Sequence, residues 1–274
     1  HALRCGADVV VAGHKEELSG RVIETLKNAV PCGAYSGDDL VNKVYATMLY
    51  SGKFSQFGIF TYFWNKLFRR SVLFENQIRV DERIFMGDDA ACVYPCLLAS
   101  TAVCVTDSAH YHYRQRVDSS VKTKERTKED VEKLGVLYRY LKERFRETNH
   151  ADLLLPQLDY FLLSLLTVRS DGWICHGHVP NELFPFRNVQ SGSKVVVCGA
   201  GTFGQHLYRR LQGSRNYQIV GWVAELFAEY RRMGLAVHGL QTICRLAFDY
   251  VVVAYIDETI SNEMAEKLKR IGVP

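Results

Sequence analysis

The segment KVVVCGAGTFGQHLYRRLQG, Lys194 to Gly213, constrains the fold more than any other stretch of the chain. A β-branched apolar run ends in glycines, and a helical pattern opens directly after them. Gly199, Gly201 and Gly204 fit G-x-G-x-x-G, placed between a strand and a helix as the turn requires. Gly199 permits the tight turn, Gly201 lets a pyrophosphate approach the backbone, and Gly204 allows close packing of helix on strand. Thr202 and Phe203 then present the N–H groups of a helix N-terminus to an anion. Strand-like YQIVGWVAE, helical ELFAEYRRMG, LAVHG, LQTICRLA, strand-like DYVVVAYID and helical ETISNEMAEKLKRIG continue the alternation. Strands alternating with helices at this spacing make parallel βαβ units.

Residues 191–274 therefore read as a small parallel-sheet, Rossmann-like domain. Its pocket belongs at the carboxyl ends of the strands at Val195–Val197 and Val251–Ala254, with Tyr255 and Asp257 at the rim. A dinucleotide site wants an acid about 20 residues beyond the last glycine, to bind ribose hydroxyls. Val223 and Ala224 stand there, with Glu225 one position later. Side chains alternate along a strand, so an offset of one turns the carboxylate away unless Glu225 bends back at the strand end. The turn is either a site for NAD(P) or a nucleotide-sugar, or a structural turn with no ligand.

RNVQSGSK, Arg187 to Lys194, reads as a linker, and the texture before it differs. ADVVVAG (Ala7–Gly13) is a buried strand. Helical patterns cover about 21–29 and 38–49, the second opened by SGDD, and TYFWNKLFRRSVL (Thr61–Leu73) reads as an amphipathic helix. A helix over 88–100, a strand over 101–107 and a long charged helix over 128–147 follow. Thr127 with Asp130 resembles a capping box there, and a further helix follows Pro156. The chain is expected to hold a first α/β domain over 1–124, a helical extension and linker over 125–190, and the parallel-sheet domain.

Composition excludes several classes. Net charge is +4, with 34 Lys and Arg against 30 Asp and Glu, and acids interleave the basic clusters, so there is no nucleic-acid footprint. The longest apolar run, Leu158 to Val168, is about half the roughly 20 residues that span a bilayer. Eight scattered cysteines form no C-x-x-C pair and read as buried reduced thiols. CHGH (Cys175–His178) has no matching second pair of ligands. His110 and His112 read as packing residues.

RIFMGDDAACVYPCLLAS (Arg83–Ser100) sets Asp88 and Asp89 side by side at the start of an apolar helix. A cap accounts for one aspartate well and two poorly. A helix N-terminus holds a carboxylate ionised and oriented, while a like-charged neighbour and burial raise its proton affinity; a general base needs both.

Together WNKLFRR (Trp64–Arg70), MGDDAACVYPCLL (Met86–Leu98) and HYHYRQRVDSS (His110–Ser120) resemble the second half of a family 2 glycosyltransferase. That family carries W-N-K-L, then an acid-Asp pair opening a helix, then Tyr-Arg-x-Arg with a Ser shortly after. The trailing domain resembles the Rossmann-like module of some bacterial polysaccharide enzymes. The resemblance implies a partial GT-A-like α/β domain and an inverting hexosyltransferase-type transfer. The donor would be a nucleotide-diphosphate sugar and the acceptor a saccharide or lipid-linked saccharide, at a cytoplasmic site on the inner face of the membrane. It makes Asp89 the general base and Asp88 its companion, where many members have Glu. It places Trp64, Asn65 and Lys66 at the acceptor cleft, and Tyr113, Arg114 and Arg116 around the departing diphosphate. The family's Asp-x-Asp, which holds Mg²⁺ or Mn²⁺, does not occur before Asp88, so that metal is expected only in a longer parent protein, and these residues alone are expected to be inactive. An NAD(P)-dependent enzyme with the first domain as substrate binder, and a nucleotide-sensing module without chemistry, are the alternatives.

Overall fold

In the computed structural model, which describes residues 5–116, 128–169, 189–213 and 216–273, the ADVVVAG run forms β1 (Val9–Val11), three buried valines. β1 lies inside a four-stranded sheet with β4 (Gly33–Ser36), β5 (Lys66–Phe68) and β6 (Ala102–Val105), in the order β4-β6-β1-β5. β1 and β6 are parallel, with Val10 opposite Cys104, and β4 and β5 are antiparallel edges. Buried Asp8 fastens the start of β1. It accepts 2.7 Å hydrogen bonds from the Thr101 N–H and hydroxyl, and pairs with Arg69 at 2.6 Å. A second sheet is made of β2 (His14–Leu18), β3 (Arg21–Leu26) and β7 (Tyr111–Gln115), in the order β3-β2-β7.

The Asp88–Leu98 helix buries every residue from Ala90 to Leu97 against the first sheet's core. Helices Lys128–Arg146 and Ala151–Arg169, set apart in the sequence as an extension, lay Leu137, Leu141, Phe145, Leu158 and Phe161 into that same core. The chain is α/β, and its contacts divide it into two compact units. The second contains β8 (Lys194–Cys198), β9 (Gln218–Val223) and β10 (Tyr250–Val253), all parallel, in the order β10-β8-β9. Helices Thr202–Gln212, Phe227–Arg232 and Glu258–Arg270 accompany them. The chain leaves central β8 for β9 on one side and returns to β10 on the other, so strand order reverses at the carboxyl ends of β8 and β10.

Several expected elements differ. Residues 21–26 are strand, not helix, because Ser19 and Gly20 take positive φ (50° and 81°) in a two-residue reversal that pairs β3, with its β-branched Val22, Ile23 and Thr25, onto β2. The helix over 38–49 reduces to a turn at Gly37–Asp39 and a π-helical stretch at Leu40–Tyr45, and the Ser36 side chain makes no cap bond. The helix over 61–73 is broken. β5 zips onto β1, and only Arg70–Gln77 is helical. The last helix of the first unit starts at Ala151 and carries Pro156 inside it. Cys92, Cys96, Cys104 and Cys198 are buried free thiols, while Cys32 and Cys244 are exposed. Thr127, Arg187, Asn188 and Cys175–His178 lie outside the described residues. No described helix is long and apolar enough to cross a membrane.

Candidate active site

Neither Asp88 nor Asp89 is the helix cap. Gly87 takes that position with φ 79°, where a side chain is strained and its Cβ would meet the Leu137 Cδ2 at 2.5 Å. The two carboxylates thus occupy the first and second helical positions, in the positive field of the N-terminus. Burial is the main force raising the proton affinity of Asp89, and the Asp88 charge adds to it. The Phe63 backbone and the charge of Lys66 act in the opposite sense. Asp89 is therefore a half-buried carboxyl with a proton affinity above the usual range.

Lys66 is the counterpart. It starts β5 at 9% exposure, and burial pushes its ammonium down to about 7, opposed by Asp89. The Nζ donates to the carbonyls of Phe60 and Tyr62, both at 2.6 Å, and to the Asn65 Oδ1 at 2.8 Å. An ammonium has three protons to donate, and all three are used internally. Lys66 thus has no donor left for a saccharide, contrary to its expected role. Asn65 accepts from Lys66 and donates to the Ala12 carbonyl at 2.7 Å.

A cleft of about 820 Å³ opens at the carboxyl ends of the parallel pair β1 and β6. Trp64, Asn65 and Lys66 line it, facing Asp107, Ser108 and Tyr111. Asp88 and Asp89 do not; the electrostatic link runs through Lys66. Trp64 stacks on Tyr111 at 4.1 Å, on Tyr62 at 4.7 Å and beside Tyr113 at 5.6 Å. Phe60, Tyr62 and Trp64 also set their rings edge-on around His14, which is 1% exposed. Burial and the nearby Lys66 charge lower the proton affinity of His14, and its Nδ1 has no hydrogen-bond partner. Sequence reasoning missed His14, since GHKEE carries no motif and only the fold brings the aromatic run to it. Arg114 and Arg116 are exposed and fall by contacts in the second unit. His112 approaches Glu17 at 3.4 Å. Among the described residues, no group of three or more His, Cys, Asp or Glu is placed to hold a metal ion.

In the second unit Gly199 has φ 122°, and a Cβ there would press on the Ala254 carbonyl. Its carbonyl accepts from the Trp222 Nε1 at 2.8 Å. A Cβ at Gly204 would collide with the Gly199 carbonyl, whereas one at Gly201 would meet nothing within 4 Å. Thr202 and Phe203 open the helix, with Gly201 at its cap. Ala224 is buried at the ribose-acid position, and Glu225 pairs with Lys267 at 2.8 Å. Asp257 caps the last helix, accepting from the Ile260 N–H at 3.0 Å, so its carboxylate is already engaged.

No family model matches the chain, and no curated protein sequence does. Among solved structures it is similar to residues 1–349 of S. aureus TarS, with a TM-score of 0.42 and 14% identity. That match covers 66% of this chain and 45% of the TarS chain. A likeness at this level concerns outline alone.

Proposed function

We propose that the first unit is the acceptor side of an inverting glycosyltransferase, with Asp89 as its general base. The observation that carries this is Asp89 itself. It is a half-buried carboxyl at a helix N-terminus, with its proton affinity raised by burial and Asp88 and opposed by the charge of Lys66, a residue that lines the aromatic cleft. The acceptor hydroxyl gives its proton to the Asp89 carboxylate as its oxygen bonds to the anomeric carbon of a nucleotide-sugar. The bond from that carbon to the diphosphate breaks, and the diphosphate leaves with the electron pair. The same reading gives Trp64 to the acceptor and Tyr113, Arg114 and Arg116 to the diphosphate. Proton transfer is the step assigned to the Asp88–Asp89 pair. Mg²⁺ or Mn²⁺ would supply charge compensation for the diphosphate.

The test is the pH dependence of transfer by the full-length protein containing this chain. The base must be ionised, so the acidic limb of kcat should fall above the usual carboxylate range. A limb at an ordinary aspartate value would count against Asp89.

A second reading concerns the glycine turn. The open space at Gly201, together with the contact at Gly204, favours an anion site for NAD(P) or a nucleotide-sugar. Titrating the chain with each nucleotide tests it. No binding at millimolar concentration would leave a structural turn.

A further inference from the structure

We infer that His14 is a positioning residue, an imidazole laid along the edges of Phe60, Tyr62 and Trp64 that sets the plane of Trp64 in the wall of the cleft. The inference rests on the reading of Trp64 as an acceptor residue and adds what holds its ring.

His14 begins β2 and is 1% exposed. Its ring lies 5.0 Å from Phe60, 5.4 Å from Tyr62 and 5.0 Å from Trp64, crossing their planes at 73°, 90° and 88°. Those three rings are themselves near-parallel, Phe60 and Tyr62 within 24° and Tyr62 and Trp64 within 11°. Tyr62 is the middle ring, 5.8 Å from Phe60 and 4.7 Å from Trp64. Its faces are taken by these neighbours, so it reaches the perpendicular imidazole through its edge. Tyr113, on β7, brings a fourth ring to His14 at 6.5 Å and 81°.

Residues 60–65 are neither helix nor strand, so no backbone ladder fixes these side chains. The imidazole does so by filling the space their edges share. Trp64 carries the effect to the cleft, which it lines with Tyr111, its stacking partner at 4.1 Å. A sugar ring lies flat on an indole only where packing keeps the indole in one plane.

The arrangement also selects a protonation state. Ring edges are positive and ring faces negative, so edges suit the face of a neutral imidazole and not that of an imidazolium. Burial and the Lys66 charge favour the same neutral form. The titratable groups that face His14 are Tyr62, Lys66 on β5 and Tyr113 on β7. Two further histidines lie close to Trp64's neighbours. His110 lines the cleft, and His112, between Tyr111 and Tyr113, approaches Glu17 at 3.4 Å. An acid response of Trp64 is therefore assigned by its loss when His14 is replaced.

The experiment is fluorine NMR of the chain labelled with fluorotryptophan, with the Trp64 signal assigned by its loss in Trp64→Phe. In His14→Ala this signal should move and broaden, while the methyl signals of Val9 and Val103, buried in the core, stay in place. In His14→Phe, which restores a flat ring, it should return to the wild-type position. Acid should move the wild-type signal with a midpoint below 6.5, and His14→Phe should lose that step. A Trp64 signal unchanged in His14→Ala, or displaced as far by Phe as by Ala, would overturn the assignment. Should His14→Ala fail to fold, the acid step decides. Its absence from the wild type, or its persistence in His14→Phe, overturns the assignment. None of these signals needs a ligand. A cleft that takes no saccharide can still show His14 holding Trp64, and a Trp64 that ignores His14 leaves the reading of Asp89 standing.

Discussion

Burial weakens the proton affinity of two bases in the first unit, His14 and Lys66, and this has a consequence for stability. For both, the unfolded chain binds protons more readily than the folded chain, so stability rises with pH across the interval between the two affinities. For Lys66 that interval runs from about 7 up to the ordinary value of 10.5; for His14 it lies below 6.5. The urea midpoint of the first unit should therefore rise between pH 7 and 9.5, and in Lys66→Met this rise should flatten. Equal slopes for the two proteins would mean that the ammonium stays fully charged. His14→Phe keeps a flat ring among Phe60, Tyr62 and Trp64 and removes an unpartnered nitrogen. Its stability should match or exceed the wild type, by up to about 1 kcal/mol, with the gain largest at acidic pH. A loss above that size, read in the same urea experiment, would show that the imidazole has a partner. The paired aspartates were legible in the sequence, because two like charges at the head of an apolar helix are costly without a use. The inward turn of Lys66 was not, since it depends on β5 pairing with β1 from 55 residues away, the Val11–Lys66 register.

Glycine turns separate fold from ligand at the level of the element. Gly204→Val places atoms against the Gly199 carbonyl, where backbone must move, and should cost about 1–3 kcal/mol or more. Gly201→Val enters open space and should cost about 1 kcal/mol, through helix-start preference alone. Thermal unfolding of the two variants checks the order, and equal losses would mean that Gly201 too is closed in. If a nucleotide binds, Gly201→Val is the variant that blocks it. The turn was legible because the strand, the three glycines and the helix are contiguous. The 61–73 segment was misread for the opposite reason. Phe63, Leu67 and Phe68 carry a helical period, but Leu67 is 68% exposed on an edge strand, and Trp64 answers to aromatic rings on β7. The Ser19–Gly20 reversal was a local signal of a hairpin, outweighed by a helical reading of the residues that follow.

Across the whole molecule, the alternation after residue 190 translated directly into the parallel β10-β8-β9 sheet, since each βα step there is local. The first unit did not translate in this way. Its two sheets join strands such as β2 and β7, nearly a hundred residues apart, and no periodicity encodes such pairings. The proposed function joins the scales: a carboxyl made more basic by burial, carried on a helix N-terminus, would serve as the base of a sugar transferase. The most direct measurement is the rate of nucleoside diphosphate release from UDP- and GDP-sugars, in the presence of saccharide acceptors, by the full-length protein and its Asp88→Asn and Asp89→Asn variants. Asp89→Asn should lower kcat by about 10² to 10⁴ while donor binding is kept, and Asp88→Asn should lower it much less. Release by Asp89→Asn at the wild-type rate would contradict the account.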